Sequence, residues 1–463
     1  MLNRAIDGLK HHIVSAVQES IRIPSVAGTP EENAPFGREV RRALDHTLAL
    51  AEELGFRTKN VDNVAGYAEW GEGEEMVAVL GHLDVVPEGK GWTCDPYSGE
   101  IHDGKIWGRG VIDDKGPTLG ALFALKAIKD LQIPLKRRIR IIFGTNEESG
   151  SQCMARYVKT EDLPAAGFTP DAEYPIIYAE KGVLTVTCKA SFEGDGPVVI
   201  SSLNGGVAPN VVAASSQVIL RASAEERRRL ASIVDSWNGP DRSGYKIVED
   251  TAEGTLVIEI QGVPAHGSTP ELGVNALLCV IDILSKVNLG GSQASFVRSL
   301  NGIIGFETDG KSLGVTMRDR ISGPLTVCLG TMSSNGPEVE FTLNLRYPVT
   351  KKESDVMPIL EETLTNAGIT ITKVKHAAPL YVDPETELIK TLKRVYEEQT
   401  GLQADLLAIG GGTYAKSMPN VVAFGPILPG QSYTIHEENE CWAIEDLMKN
   451  VKIMAQAMVA LAR

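Results

Sequence analysis

Residues 81–89 read GHLDVVPEG and follow an apolar run at residues 77–80, so an imidazole (His82) and a carboxylate (Asp84) are expected where a buried strand leaves its sheet. Three further polar clusters stand at comparable places: Asp113 with Asp114 in GRGVIDDKG, Glu147 with Glu148 in GTNEESG, and Asp171 in FTPDAEYP. A fifth, His436, lies in QSYTIHEENE near the C-terminal end. Taken singly these residues are ordinary. A strand-end histidine is usually a hydrogen-bonded structural group, and an acidic pair is usually a solvated loop or a helix N-terminus. In combination they point further, because several carboxylates converging on one crevice repel one another unless cations compensate them. Two divalent ions are the simplest compensation. Carboxylate oxygens mixed with imidazole nitrogens suit zinc, manganese or cobalt, and the lack of a thiolate in these motifs speaks against a closed structural site. Open coordination implies catalysis.

Positioning such groups takes strands whose carboxyl ends face one crevice, as in an α/β sheet. Residues 1–183 alternate helical and strand patterns. GREVRRALDHTLALAEELGF reads as a helix closed by Gly55, and EMVAVLGHLD as a strand with its exit loop. GPTLGALFALKAIKDLQI reads as a helix with Pro117 in its first turn and Leu119, Leu122, Phe123 and Leu131 on its apolar stripe. RRIRIIFGTNEESG is a further strand with a polar exit, and the alternation predicts an α/β sheet covered by helices. Over residues 184–378 the texture becomes β-rich, as in GVLTVTCKASFEG and VEFTLNLRYPV, with a helix at GVNALLCVIDILSKV. That predicts an inserted second domain. From residue 379 the α/β texture returns: in TELIKTLKRVYEEQTG, Leu388, Leu392 and Val395 share a face and Gly401 caps the end. The first domain is therefore expected to be discontinuous, residues 1–183 plus 379–463.

A chain of 463 residues is long enough for two cores, and 43% hydrophobic with 23% charged residues is a globular mixture. The net charge of −15 excludes a general binder of phosphate backbones, which would gather Lys and Arg on one face. Cys94, Cys153, Cys188, Cys279, Cys328 and Cys441 are scattered without CxxC spacing, so they read as reduced thiols. The N-terminal segment has charges at helical spacing and no continuous apolar stretch, and no run of about 18 apolar residues occurs later. A cytoplasmic protein with no membrane partner is the expectation. His11, His12, His46 and His376 read as structural or exposed groups in helical or linker contexts, and His102 as part of a hairpin before Asp103-Gly104.

Taken in order, GHLDVVP, WGRGVIDDKGP, GTNEESGS, PDAEYP, PAHGSTPELGVNA and GGGTYAK resemble the dinuclear zinc metallopeptidases of the aminoacylase-1 and carboxypeptidase G superfamily, and within it the dipeptidase V group, Xaa-His or carnosinase-like dipeptidases. The resemblance spans essentially the whole chain. It implies a discontinuous catalytic domain with a central mixed sheet and an inserted α+β lid. It makes His82, Asp171 and a bridging Asp113 the ligands of one ion, and Asp113, Glu148 and His436 the ligands of the other. Asp84 would then hold the second ring nitrogen of His82, and Glu147 would serve as general base. In the lid, His266 would stabilise the oxyanion, Arg346 would take the substrate's C-terminal carboxylate, and Asn210 would add a polar contact. Gly411 and Gly412 in AIGGGTYAK would allow close backbone approach to a ligand. The implied activity is hydrolysis of short unblocked peptides, chiefly dipeptides, by a monomer. The alternatives are deacylation or desuccinylation of N-acyl amino acids on the same scaffold, and a non-catalytic peptide-binding relative.

Overall fold

The computed structural model describes residues 1–250, 254–431 and 434–463, with the side chains of residues 248–250 left aside. The chain divides into two units. The first comprises Met1–Ala179, Tyr381–Ala408 and Gly412–Arg463; the second comprises Glu180–Leu380 and Ile409–Gly411.

The first unit is α/β and is built on a mixed sheet. Its strands Arg57–Val61, Ala65–Trp70, Arg138–Gly144, Met76–His82, Ala166–Thr169 and Val421–Ala423 lie side by side in that order. Met76–His82 runs parallel to both Arg138–Gly144 and Ala166–Thr169, whereas Ala65–Trp70 is antiparallel to Arg138–Gly144. Every residue of Met76–His82 is buried, as a strand covered on both faces requires. One cover is the helix Lys115–Asp130, apolar on nearly all sides, which packs with the C-terminal helix Ile444–Ala462 into the same core as Val77, Val79 and Ile141. The expected helix at residues 387–400 is present, with Leu388, Leu392 and Val395 buried and Gly401 in the left-handed region at φ 71°.

The parallel register pairs His82 with Gly144, so the carboxyl ends of two neighbouring strands finish level. Gly144 is the floor on which the buried ring of Tyr414 rests: a Cβ there would lie 2.2 Å from the phenolic oxygen. Tyr414 in turn stands edge-on to the His82 ring, centroids 6.0 Å apart, with its hydroxyl 2.9 Å from Cys153 Sγ.

The second unit is an antiparallel sheet ordered Gly244–Asp250, Thr255–Gln261, Ser215–Ala222, Val198–Gly205, Thr326–Asn335, Glu338–Tyr347, Gly182–Ser191, Ile369–Ala377. On Gly182–Ser191, Leu184, Val186 and Cys188 are buried at alternate positions, giving the second core one apolar face on which the helices Ala276–Ser285 and Gly291–Ile303 lie. His376 departs from its expected helical or linker setting. It sits on the edge strand Ile369–Ala377, with Nε2 2.7 Å from the Tyr347 hydroxyl and Nδ1 3.3 Å from Glu353. Apolar alternation on that strand is carried by Ile369 and Ile371 at its start, and the part that bears His376 is exposed, so the pattern has faded before it reaches the histidine. His102 does form the expected hairpin, Ile101–His102 against Lys105–Trp107, with Asp103 and Gly104 at positive φ.

Gly144→Ala is expected to force Tyr414 off its seat at the strand end. Overpacking of this kind destabilises by about 1–3 kcal/mol, seen as a lower urea midpoint for the first unit than in the unsubstituted chain; an unchanged midpoint would show that the ring relocates freely.

Candidate metal centre

Because Met76–His82 is apolar to its end, its final side chain is aimed at the carboxyl edge of the sheet, where the loops begin. The His82 ring is sealed from solvent. Its Nδ1 lies 2.9 Å from the backbone carbonyl of Asp84, and donation to that oxygen turns Nε2 toward the acidic side chains. Nε2 is 2.8 Å from Asp113 Oδ1 and 3.7 Å from Asp171 Oδ2. The other oxygen of Asp113 is 3.0 Å from His436 Nε2, which is 3.1 Å from Glu148 Oε1.

Five side chains thus form two groups, His82 with Asp113 and Asp171, and Asp113 with Glu148 and His436; within each, the candidate ligand atoms lie within 4.8 Å of one another. Asp113 belongs to both and turns one oxygen to each imidazole. His82 Nε2 and Asp113 Oδ1 are buried without a hydrogen-bond partner although they face each other. Buried polar atoms are normally satisfied; burial opposes the charge of His82, but Asp171 and Asp113 keep it protonated in the free site, and with that proton removed Nε2 and Oδ1 would be two donors to a shared cation. The site fits a metal pair. Half-exposed His436 comes from a loop and has φ 64°, in the left-handed region that is uncommon for a residue bearing Cβ.

Three carboxylates shape this site through backbone amides. Asp84 accepts the N–H groups of Glu147 and Glu148, both at 3.1 Å, and so holds the loop bearing those two acids against the exit of the neighbouring strand. The Asp84 carboxylate also lies 3.5 Å from His82 Nδ1, but the nearer partner of that nitrogen is Asp84's own carbonyl, because the side chain is shared with the next loop. Asp114 accepts the His82 N–H at 3.0 Å and the Thr118 hydroxyl at 2.9 Å, tying the strand end to the first turn of Lys115–Asp130. Glu440, also buried, accepts N–H groups of the turn that carries Asp113, at 3.0 Å from Gly110 and 2.9 Å from Ile112.

The crowding shows in the protonation of the free site. Burial, and the charge of Asp171 after it, push Glu147 well above the usual carboxylate range. Burial and Asp113 raise Glu148 to about 7 and Asp171 to about 6. Asp113 moves the other way: burial opposes its charge, but His436 and His82 hold it far below the usual range. His436 is raised to about 11 against burial, by Asp113 and Glu148. Like charges are brought together here and partly relieved by the two rings.

The expected residues of the second unit gather separately. His266 and Asn210 lie on adjoining segments: Val211 bridges His266, and the Gly267 N–H donates to the Asn210 carbonyl at 2.7 Å. His266 Nδ1 is 2.6 Å from Ser268 Oγ and also accepts the Ser268 N–H at 3.4 Å, which assigns the ring proton to Nε2. Ser268 sits so close to Gly410 that a Cβ there would meet it at 2.5 Å. Gly410 in turn accepts from Arg346 Nη1 at 3.0 Å. Arg346 is buried beside Asn344 and, among the described residues, forms no ion pair; burial lowers it to about 10. Gly411 falls in this unit, while Gly412 opens the last segment of the first unit.

Sequence reasoning missed Glu440, Arg109, Tyr414 and Cys153. Arg109 donates to Glu440 at 2.7 Å across 331 positions of sequence. The one local cue is that Glu440 shares the run IHEENE with His436.

Residues 78–460 match the peptidase family M20/M25/M40. A Bacillus subtilis (strain 168) protein named "Putative dipeptidase YtjP" is 38% identical over 461 residues, 98% of each chain. A Staphylococcus epidermidis protein named "Putative dipeptidase" is 34% identical over 452 residues, 96% of this chain and 94% of that one. The fold is shared with human carnosine dipeptidase 1, at 17% identity and TM-score 0.57 over 100% of this chain and 99% of that one. It is shared equally with the di-peptidase Dug1p of Saccharomyces cerevisiae, at 16% identity and TM-score 0.59 over 100% and 98%.

Asp84→Asn replaces one acceptor oxygen by an amide that must face an N–H donor. The loss of one charge-assisted bond at a buried position is expected to lower stability by about 1–3 kcal/mol and turnover along with it, since the loop carrying Glu147 and Glu148 is released; urea unfolding read beside kcat checks this, and normal values of both would refute the loop-holding role.

Proposed function

The chain belongs to the M20/M25/M40 peptidase family and is an enzyme, and from that premise we propose that it hydrolyses short unblocked peptides, chiefly dipeptides, with two divalent ions held by His82, Asp113, Glu148, Asp171 and His436. The observation that carries the reading is the Asp113 carboxylate lying between two imidazoles, one oxygen toward each. Zinc is the metal first proposed, with manganese or cobalt the alternatives, because mixed imidazole and carboxylate donors suit all three. When bound, the ions would supply Lewis-acid polarisation of the scissile carbonyl and acidify water.

The remaining chemistry falls to side chains. Glu147 is the proposed proton carrier, taking a proton from the attacking water and delivering it to the departing amine. Its position supports this role. The Glu147 amide is anchored by Asp84 while the carboxyl stays in a buried, acid-rich setting that favours proton uptake. His266, with its proton on Nε2, is the proposed donor to the oxyanion. Arg346, a buried cation without an acidic partner among the described residues, is suited to a substrate's C-terminal carboxylate, with Asn210 and Gly411 in the same cluster as further contacts and Gly412 kept as a backbone contact. A carboxylate ligand of this kind favours free peptides, as in the dipeptidase V group. Six free thiols accord with a reducing, cytoplasmic setting, and a large inserted unit accords with a monomer.

Metal-stripped protein is expected to release no amino acids from a panel of unblocked dipeptides, β-alanyl-histidine among them, and to recover on addition of zinc or manganese, with N-acetylated dipeptides and longer peptides cleaved far more slowly. Cleavage of N-acyl amino acids alone would assign deacylation or desuccinylation instead. Glu147→Ala is expected to reduce kcat by about 10²–10⁴-fold while metal content by elemental analysis stays at the unsubstituted level; retained turnover would remove Glu147 from the mechanism.

A further inference from the structure

We propose that Glu440 is a positioning residue that keeps Asp113 and His436 in register, so that the metal group they share with Glu148 depends on it. The inference rests on the two-ion reading above. Glu440 is wholly buried, and all its acceptor capacity goes to one short turn. Oε2 takes Arg109 Nη1 at 2.7 Å and the Gly110 N–H at 3.0 Å; Oε1 takes the Ile112 N–H at 2.9 Å and, more weakly, the Asp113 N–H at 3.4 Å. The backbone joins in, because the Gly108 N–H donates to the Glu440 carbonyl at 2.9 Å. The ladder then continues, with Cys441 paired to Trp107. Residues 109–113 are therefore wrapped around one carboxylate, and Gly108 before them is held by the backbone carbonyl of the same residue.

An ordinary buried ion pair would need only Arg109. Here three amides of the turn converge on the same anion, and charge-assisted bonds of this kind fix direction as well as contribute energy. The direction fixed is that of Asp113, whose own N–H is the last of the three. His436 lies four residues before Glu440 on the same segment, so one residue sets both sides of the 3.0 Å approach between Asp113 Oδ2 and His436 Nε2. His82 stands on the strand Met76–His82 and Asp171 on the loop that follows Ala166–Thr169, and among the described residues neither bonds to the segment from His436 to Glu440; Asp113 is shared by both groups, but His436 belongs to one alone. Loss of Glu440 geometry should thus loosen the Asp113–Glu148–His436 group ahead of the other.

Glu440→Gln keeps size and shape but turns one acceptor oxygen into a donor amide. Metal-stripped full-length protein is titrated with zinc by calorimetry, with the bound ions counted by mass spectrometry under native conditions and folding followed by circular dichroism and thermal unfolding. The unsubstituted chain is expected to take two ions. E440Q is expected to bind one ion within about threefold of normal and the other about 10–100-fold more weakly, the size of loss typical when a metal ligand loses its support; H436A, which deletes a ligand of the same group, should lose the same ion. Two ions bound by E440Q at unchanged affinities would overturn the proposal. Should E440Q not fold, E440D, which keeps the charge but withdraws it by one methylene, is expected to show the same selective loss, and unchanged affinities there would overturn it equally. Fewer than two ions on the unsubstituted chain would instead refute the two-ion reading itself.

Discussion

A carboxylate with an imidazole facing each of its oxygens is the constraint around which the first unit is arranged. Asp113 reaches both His82 and His436 only if the end of a wholly buried strand, a turn before a helix and a C-terminal loop meet to within a few tenths of an ångström. The parallel pairing of Met76–His82 with Arg138–Gly144 brings the NEES loop level with that point, and the parallel pairing with Ala166–Thr169 brings up Asp171. The sheet edge supplies the meeting place. It cannot by itself supply the precision, since loops leaving a sheet have many conformations open to them.

Precision comes from acidic groups that face away from the centre. Asp84, Asp114 and Glu440 each direct carboxylate oxygens at backbone N–H groups, and each thereby fixes a segment bearing one of the inward-facing acids or rings: Glu147 and Glu148, His82, and Asp113 respectively. The amide bonds offset only part of the cost of burial. Burial raises Glu440 while the Gly110 and Ile112 N–H groups act against the rise, and burial with the charge of Asp171 drives Asp114 well above the usual carboxylate range, just as the inward-facing Glu147, Glu148 and Asp171 are raised.

Residues that could do chemistry were legible in the sequence because their cues are local. GHLD, DDKG, NEES and PDAEYP each join an acid or a histidine to a strand exit or turn signal, and the strands before them have the continuous apolar runs of a covered sheet. The supports were not legible. Glu440 meets Arg109 across 331 positions and Tyr414 meets Cys153 across 261, so neither pair leaves a pattern within any window of the sequence. Spacing tells that an acid stands two positions from His82, near enough for its carboxylate to lie 3.5 Å from the ring, but not that the side chain also crosses to the next loop while the carbonyl takes the nearer place at Nδ1. His376 went astray for another reason, since its edge strand shows apolar alternation, at least partly buried, only at Ile369 and Ile371 and is exposed where the histidine stands.

The same arrangement ties the stability of the unit to the charge of its centre. Glu148 at about 7 and Asp171 at about 6 lie above the range of an unfolded chain, so they favour the folded, metal-free state while protonated and cease to do so as pH rises through those values. Asp113 has the reverse sign, because its carboxyl is depressed and its contribution is present once pH exceeds the unfolded range. Near neutrality the free site thus holds acids whose ionisation opposes folding beside one whose ionisation supports it. A divalent cation held by these groups would remove the opposition, because Glu148 and Asp171 would both be stabilised in the charged form, and binding only to the folded chain would add to stability in proportion to the logarithm of free metal. The charge that would serve catalysis is therefore also a load on the fold, and the amide-bonded carboxylates behind it are what keep the free site assembled until a cation arrives.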